Sequence, residues 1–190
     1  MKKIIFSIVA IALILCTFTS CGGNEDTLAA YNSALAKTNP AEAIISVSVN
    51  TAIGTLNGTV TITYNEDGSS VIVYSYEQFN PIASGADEKS TVSGQITCDK
   101  DGNYSGSISG VVSLSVALKL NLDTKLLDDV RFDDNVCSVL VKAENNLAVL
   151  GVALGADAKL VLFRTDDVIS SYTLAYSNEN GSVSIACEYN

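Results

Sequence analysis

The chain has 190 residues and a formal net charge of −10, from 21 acidic against 11 basic side chains, with no histidine and no tryptophan. So acidic a chain is unsuited to nucleic acid, where affinity comes mainly from Lys and Arg on phosphates. The missing histidine removes Ser-His-Asp and Cys-His catalysis and most catalytic zinc sites.

The first element is a leader. Lys2 and Lys3 precede an apolar block over residues 4–15, and small residues follow. That order reads as a secretory signal peptide over residues 1–20. An anchor helix left in place is disfavoured, because a span needs about 20 apolar residues. The stretch Phe18-Thr19-Ser20-Cys21-Gly22 resembles the bacterial lipobox, in which small residues precede a cysteine that is lipidated on sulfur and becomes the new N-terminus. Thr19 and Ser20 fit that pattern, while Phe18 stands where an aliphatic residue is usual. Cys16 is the weaker candidate, since it follows bulky Leu15 inside the apolar run. The resemblance implies a diacylglycerol on Cys21, and two acyl chains suffice for stable attachment where one does not. The expected location is the cell membrane, outside the cytoplasm, with residues 21–23 as anchor and linker and 24–190 as one β-rich domain. Beyond residue 20 there remain 9 basic and 21 acidic side chains, a net charge of −12. That charge disfavours adsorption onto anionic lipid, so the anchor would do the holding. Solubility of an exported domain is sufficient reason for the acidity.

Residues 24–37 (NEDTLAAYNSALAK) place Leu28, Tyr31 and Leu35 at helical spacing, with Asn24 or Asp26 to cap the start and Lys37 in the last turn. Asn39-Pro40 ends the helix, because the residue before proline avoids the helical region. The period then changes to two. Ile45, Val47 and Val49 share a side, as do Val60, Ile62 and Tyr64; Ile72, Tyr74 and Tyr76; and Val92, Ile96 and Cys98. Such alternation predicts half-buried strands with one wet face. The longest alternation, residues 104–122, predicts a further strand. It exceeds the usual length and is expected to bend or break at Gly106 or Gly110. Residues 123–135 read as irregular or a single helical turn. A strand near 136–142, a short helix near 145–150 closed by Gly151, and strands near 158–164, 168–176 and 182–189 complete the chain.

The loops NEDGS, DKDGN and NENGS each place a polar pair before a glycine, which predicts hairpin loops with glycine in the left-handed region. DKDGN also invites comparison with a calcium loop, but an EF-hand needs glycine at position six and glutamate at twelve. Here Gly102 is fourth and Gly110 twelfth. Cys98, Cys137 and Cys187 match no zinc spacing and allow one bridge at most. Cys98 and Cys187 fall on apolar faces, which favours buried thiols over a disulfide. The pairs Asp128-Asp129, Asp133-Asp134 and Asp166-Asp167 could serve as metal ligands or an acid pair, but adjacent loop acids are usually solvated surface. Tyr74, Tyr76, Tyr172 and Tyr176 lie on apolar faces and read as core or cavity wall. No catalytic elbow or phosphate loop is present, so the reading is non-enzymatic, with no cofactor and no metal.

The fold class expected is α+β, mainly β: a strongly curved antiparallel sheet, or half-barrel, with an N-terminal helix and one or two short helices. Two short helices give little cover for eight to ten strands, yet an apolar sheet face must be covered. Residues 28–38 running into AEAIISVSVN, the long Ser-faced strands and NNLAVLG before the closing strands make the layout similar to the periplasmic lipoprotein carrier LolA and the lipid-carrying surface lipoproteins of mycobacteria. That resemblance implies a concave apolar pocket for an acyl chain or a lipidated partner, with no ligand residue carried over. The first functional expectation is therefore a membrane-anchored exported lipoprotein that binds or carries an apolar ligand. The alternative is a structural or protein-interaction module of the cell surface with a filled core. Cys21→Ser should release the protein from membranes and abolish incorporation of radiolabelled fatty acid; unchanged labelling would reject Cys21 as the anchor.

Overall fold

The computed structural model describes residues 25–79, 89–108 and 110–190. Helix α1 (Glu25–Lys37) leads into strands β1 (Glu42–Thr51), β2 (Gly54–Tyr64), β3 (Ser70–Phe79) and β4 (Lys89–Cys98). Helix α2 (Gly110–Ala117) follows, then β5 (Asp128–Asp133), β6 (Val136–Val141), α3 (Asn146–Leu150), β7 (Ala158–Thr165), β8 (Val168–Asn178) and β9 (Gly181–Tyr189). The strands form one antiparallel sheet in the order β4-β3-β2-β1-β9-β8-β7-β6-β5. It is curved, mainly-β and not closed into a barrel, as expected from the alternating pattern.

Two meanders, β1–β4 and β5–β9, meet where the first strand pairs with the last. Ala43 lies opposite Tyr189 and Ile45 opposite Cys187. The registers line up so that one row crosses every strand: Gly94, Tyr74, Val60, Ile45, Cys187, Tyr172, Leu162, Cys137 and Phe132. From Val60 to Cys137 each member of that row is buried. Full burial of a Val, Leu or Ile side chain is worth about 1.5–3 kcal/mol. The ion pairs Lys37–Asp167, Arg131–Asp129 and Lys142–Asp157 are all solvent-exposed and screened, so they are minor by comparison. At Gly94 an added Cβ would come 2.5 Å from the Tyr74 hydroxyl, so glycine here makes room for the neighbouring ring.

α1 packs on β8 through Leu28, Tyr31 and Ala34, all buried. Its end is tied to the sheet by Thr38, whose Oγ1 donates to Ala34 O (2.7 Å) and accepts from Ile169 N (2.9 Å). The hairpins place Gly68 and Gly102 in the left-handed region, with φ of 84° and 86°.

Two expectations are corrected. The alternation over residues 104–122 does not form a strand. Tyr104 makes a single bridge to Cys98, residues 110–117 are helical, and residues 118–122 run extended as a strap over the sheet. The helix GVVSLSVA distributes apolar residues around its whole circumference, which suits an element enclosed on several sides. Here Val112 and Ser115 are both buried. Residues 123–135, read as irregular or a single helical turn, hold one 3-10 turn at Thr124–Leu126 and then edge strand β5, bulged between Asp128 and Arg131. The apolar face is thus covered by three helices and a strap.

The strap is pinned from both sides. Asn32 Nδ2 donates to Leu122 O (2.8 Å) and Asn32 Oδ1 accepts from Leu122 N (3.2 Å), across 90 residues of sequence. Lys119 N and Asn121 N donate to Leu150 O and Val149 O, each at 2.8 Å. Gly151 closes α3 at φ 77°, and a Cβ there would sit 2.9 Å from Ala117 O, so glycine lets the strap pass. Asn32→Ala removes both bonds to Leu122, which is fully buried. At about 0.5–1.5 kcal/mol per bond, it should lower stability by roughly 1–3 kcal/mol in urea denaturation.

Candidate functional site

Cys21 lies outside the described residues. The acid pairs do not converge on one site. Arg131 donates from both Nε (2.8 Å) and Nη2 (2.7 Å) to the Asp129 carboxylate, and Asp167 pairs with Lys37 at 2.9 Å. Asp134 and Asp166 adopt left-handed φ at hairpin tips. Asp99, in DKDGN, accepts from the backbone N–H groups of Asp101 and Asn103 in its own loop, both at 2.9 Å. Among the described residues no cluster of His, Cys, Asp or Glu could hold a metal ion. Cys98, Cys137 and Cys187 are free, with Cys137 and Cys187 buried. Nor is any helix of the described residues long and apolar enough to cross a membrane.

What the fold does bring together is a group of tyrosines around Cys187. The side chains of β1, β2 and β3 form one wall of a cavity of about 140 Å³, β8 and β9 form the second, and α2 with the start of the strap forms the roof. Tyr172 of β8 lies opposite Cys187 in the β8–β9 register, and Tyr189 follows two residues on along β9, on the same face. The two rings are 6.1 Å apart. Ser115 of α2 faces the same space from the roof, and Ser70 from β3. Tyr64 and Tyr104, which are 43% and 39% exposed, also line the cavity.

On the other side of Leu118, Tyr172 and Tyr189 lies a more open cleft of about 430 Å³. Leu35 and Ala36 of α1 form its far wall, and the strap residues Leu120 and Asn121 its rim. Cavity and cleft therefore share one partition, made of two phenols and a leucine. A third concavity, about 400 Å³, lies on the opposite, Ser/Thr-lined face of the sheet around Ser46, Thr59 and Ser75.

Among the described residues no charged side chain lines the inner cavity. Burial pushes the Cys187 thiol up to about 12, in spite of the neighbouring phenols, which act in the opposite direction. Burial also holds the Tyr172 phenol well above its ordinary value and raises Tyr189 and Tyr64. The site is thus a set of neutral hydroxyls and one neutral thiol. It offers hydrogen-bond donors and apolar wall, without a general base, an activated nucleophile or a cation.

Sequence reasoning assigned Tyr172 to a core or cavity wall, and alternation along the last strand puts Val183, Ile185, Cys187 and Tyr189 on one face. It did not bring Tyr64, Tyr104 and Tyr189 to one place. Tyr64 and Tyr189 converge because Ala43 pairs with both Ile62 and Tyr189, a consequence of β1 lying between β2 and β9. The one available signal was that Tyr64 and Tyr189 end alternating apolar runs and Tyr104 begins one.

No protein-family model and no curated protein matches this chain. Among solved structures it is similar to the dehydratase domain from the CurK module of Curacin polyketide synthase, at 9% identity and a TM-score of 0.22. The dehydratase domain from the CurF module has 6% identity and a TM-score of 0.24, and both alignments cover 85% of this chain and 78% of the other. Likeness at that level carries no argument about fold or chemistry.

Between the ordinary and raised values of these thiols and phenols the folded state holds more protons than the unfolded state, so stability falls as pH rises. Denaturation midpoints should therefore drop between pH 9, the ordinary thiol value, and about 12, where Cys137 and Cys187 titrate when folded. The drop should be shallower in a Cys137→Ala/Cys187→Ala double variant. Peptide-level mass spectrometry after iodoacetamide treatment at neutral pH should find these two cysteines protected until the protein is unfolded.

Proposed function

We propose that this protein is an exported lipoprotein, held at the cell membrane through Cys21, whose β-rich domain binds a ligand with an apolar body beneath the α2–strap layer. The observation that supports the binding reading is the partition of Leu118, Tyr172 and Tyr189 shared by an inner cavity and an outer cleft. Space continues on both sides of it, between the apolar sheet face and its cover. An elongated ligand could lie in the cleft against Leu35 and Leu120 and reach the hydroxyls beyond the partition. The absence of any charged group from the inner lining is consistent with binding rather than turnover.

A second reading has its own support. The inner cavity, at about 140 Å³, is smaller than the roughly 300–1,000 Å³ of small-molecule sites, and the row from Val60 to Cys137 is tightly buried. These features suit a filled-core module that meets a protein partner elsewhere on its surface. Native mass spectrometry of protein purified without added lipid separates the two. The binding reading expects a co-purified species near one equivalent, lost in Leu118→Trp, where a bulkier side chain would fill the partition. A protein that carries nothing, and takes up no lipid on incubation with vesicles, is the filled-core module.

A further inference from the structure

Every described side chain that lines the inner cavity is uncharged, and the hydroxyl donors that converge there are four phenols and the serines Ser70 and Ser115. A phenol O–H donates to a carbonyl, ester or alcohol oxygen as readily as to a thiol. An ionised carboxylate would leave water for a space with no cation to meet it, a cost that far exceeds the gain from neutral hydrogen bonds. The nearby charge that bears on the cluster is Glu188, whose carboxylate disfavours a second negative charge at Cys187. In the adjoining cleft the basic side chain is Lys119, exposed on the strap.

We infer that the site selects an uncharged lipid bearing a hydrogen-bond-accepting oxygen, such as an acyl ester or a long-chain alcohol, over the corresponding fatty-acid anion. The oxygen seats against the Tyr172 and Tyr189 hydroxyls beside Cys187, and the hydrocarbon lies back across Leu118 into the cleft. The reverse orientation, with a carboxylate at Lys119 and the chain end in the inner cavity, would set hydrocarbon against hydroxyls and leave their hydrogen bonds unmet. The inference rests on the binding reading given above and adds the polarity and orientation of the ligand.

The test is equilibrium binding by the full-length protein of three probes with one chain length: a fatty alcohol, the methyl ester and the carboxylate, at neutral pH. The alcohol and ester should bind at least about tenfold more tightly than the carboxylate. Tyr172→Phe and Tyr189→Phe should each weaken the ester by about two- to tenfold, as expected for one hydrogen bond. Lys119→Ala, which removes the cation of the cleft, should leave the ratio of ester to carboxylate affinity unchanged. Thermal melts of each variant identify any that no longer folds, and the selectivity of the unaltered protein stands without them. Equal or tighter binding of the carboxylate overturns the inference, as does its loss in Lys119→Ala, while leaving the lipid-binding reading in place. Failure of all three probes to bind overturns both.

Discussion

The fold depends on one constraint: nine strands must keep a common register so that a single apolar row crosses the whole sheet. Side chains on a strand alternate between faces, so a slip of one residue anywhere would turn that strand's apolar side to water. The row runs through Tyr74, Val60, Ile45, Cys187, Tyr172, Leu162 and Cys137. Its centre is the pairing of β1 with β9, strands from opposite ends of the described chain. Closing so long a loop costs conformational entropy, which local hairpins do not. The two meanders can form from neighbouring residues, but their union must be stabilised by burial of Ala43, Ile45, Val47, Ile185 and Cys187 together.

Cover for that face comes from small elements held by specific hydrogen bonds. α1 and α3 reach the strap from opposite sides, through the Asn32 side chain and through the carbonyls at the end of α3. A strap pinned at Leu122 and at Lys119 spans the space above Tyr172 and Tyr189. Leu118 of the strap borders the inner cavity, and Leu118 to Asn121 border the cleft.

The chemistry of the site follows from where its tyrosines sit. A phenol on the wet face of a strand is solvated; the same phenol at the end of an apolar run, turned inward, keeps its proton and needs a partner. Around Cys187 the neighbouring groups are neutral phenols and serine hydroxyls. A neutral, partly polar interior is suited to recognising an oxygen on an otherwise apolar molecule, and unsuited to stabilising charge in a reaction. On the proposed reading, the acidic surface keeps the tethered domain soluble and off anionic lipid, while the interior handles the ligand.

Much of this was legible from residues 42 onward, since strict alternation marks half-buried strands and Asn/Asp-Gly marks their turns. The helix over residues 25–37 and the closing strands follow from local periodicity alone. Residues 104–122 were misread because Ser and Val at every second position satisfy a strand pattern and also a helix that is enclosed on several sides. Which one forms depends on whether a neighbouring strand edge or a layer of helices awaits it, and that is set by elements distant in sequence. The sequence by itself determined the β-rich class, the hairpins and an acidic, histidine-free chemistry, because these depend on residue type and on neighbours a few positions apart. Only the tertiary structure decided that Tyr64, Tyr172, Tyr189 and Cys187 share one cavity, because that follows from β1 pairing between β2 and β9, a long-range match that local pattern does not encode.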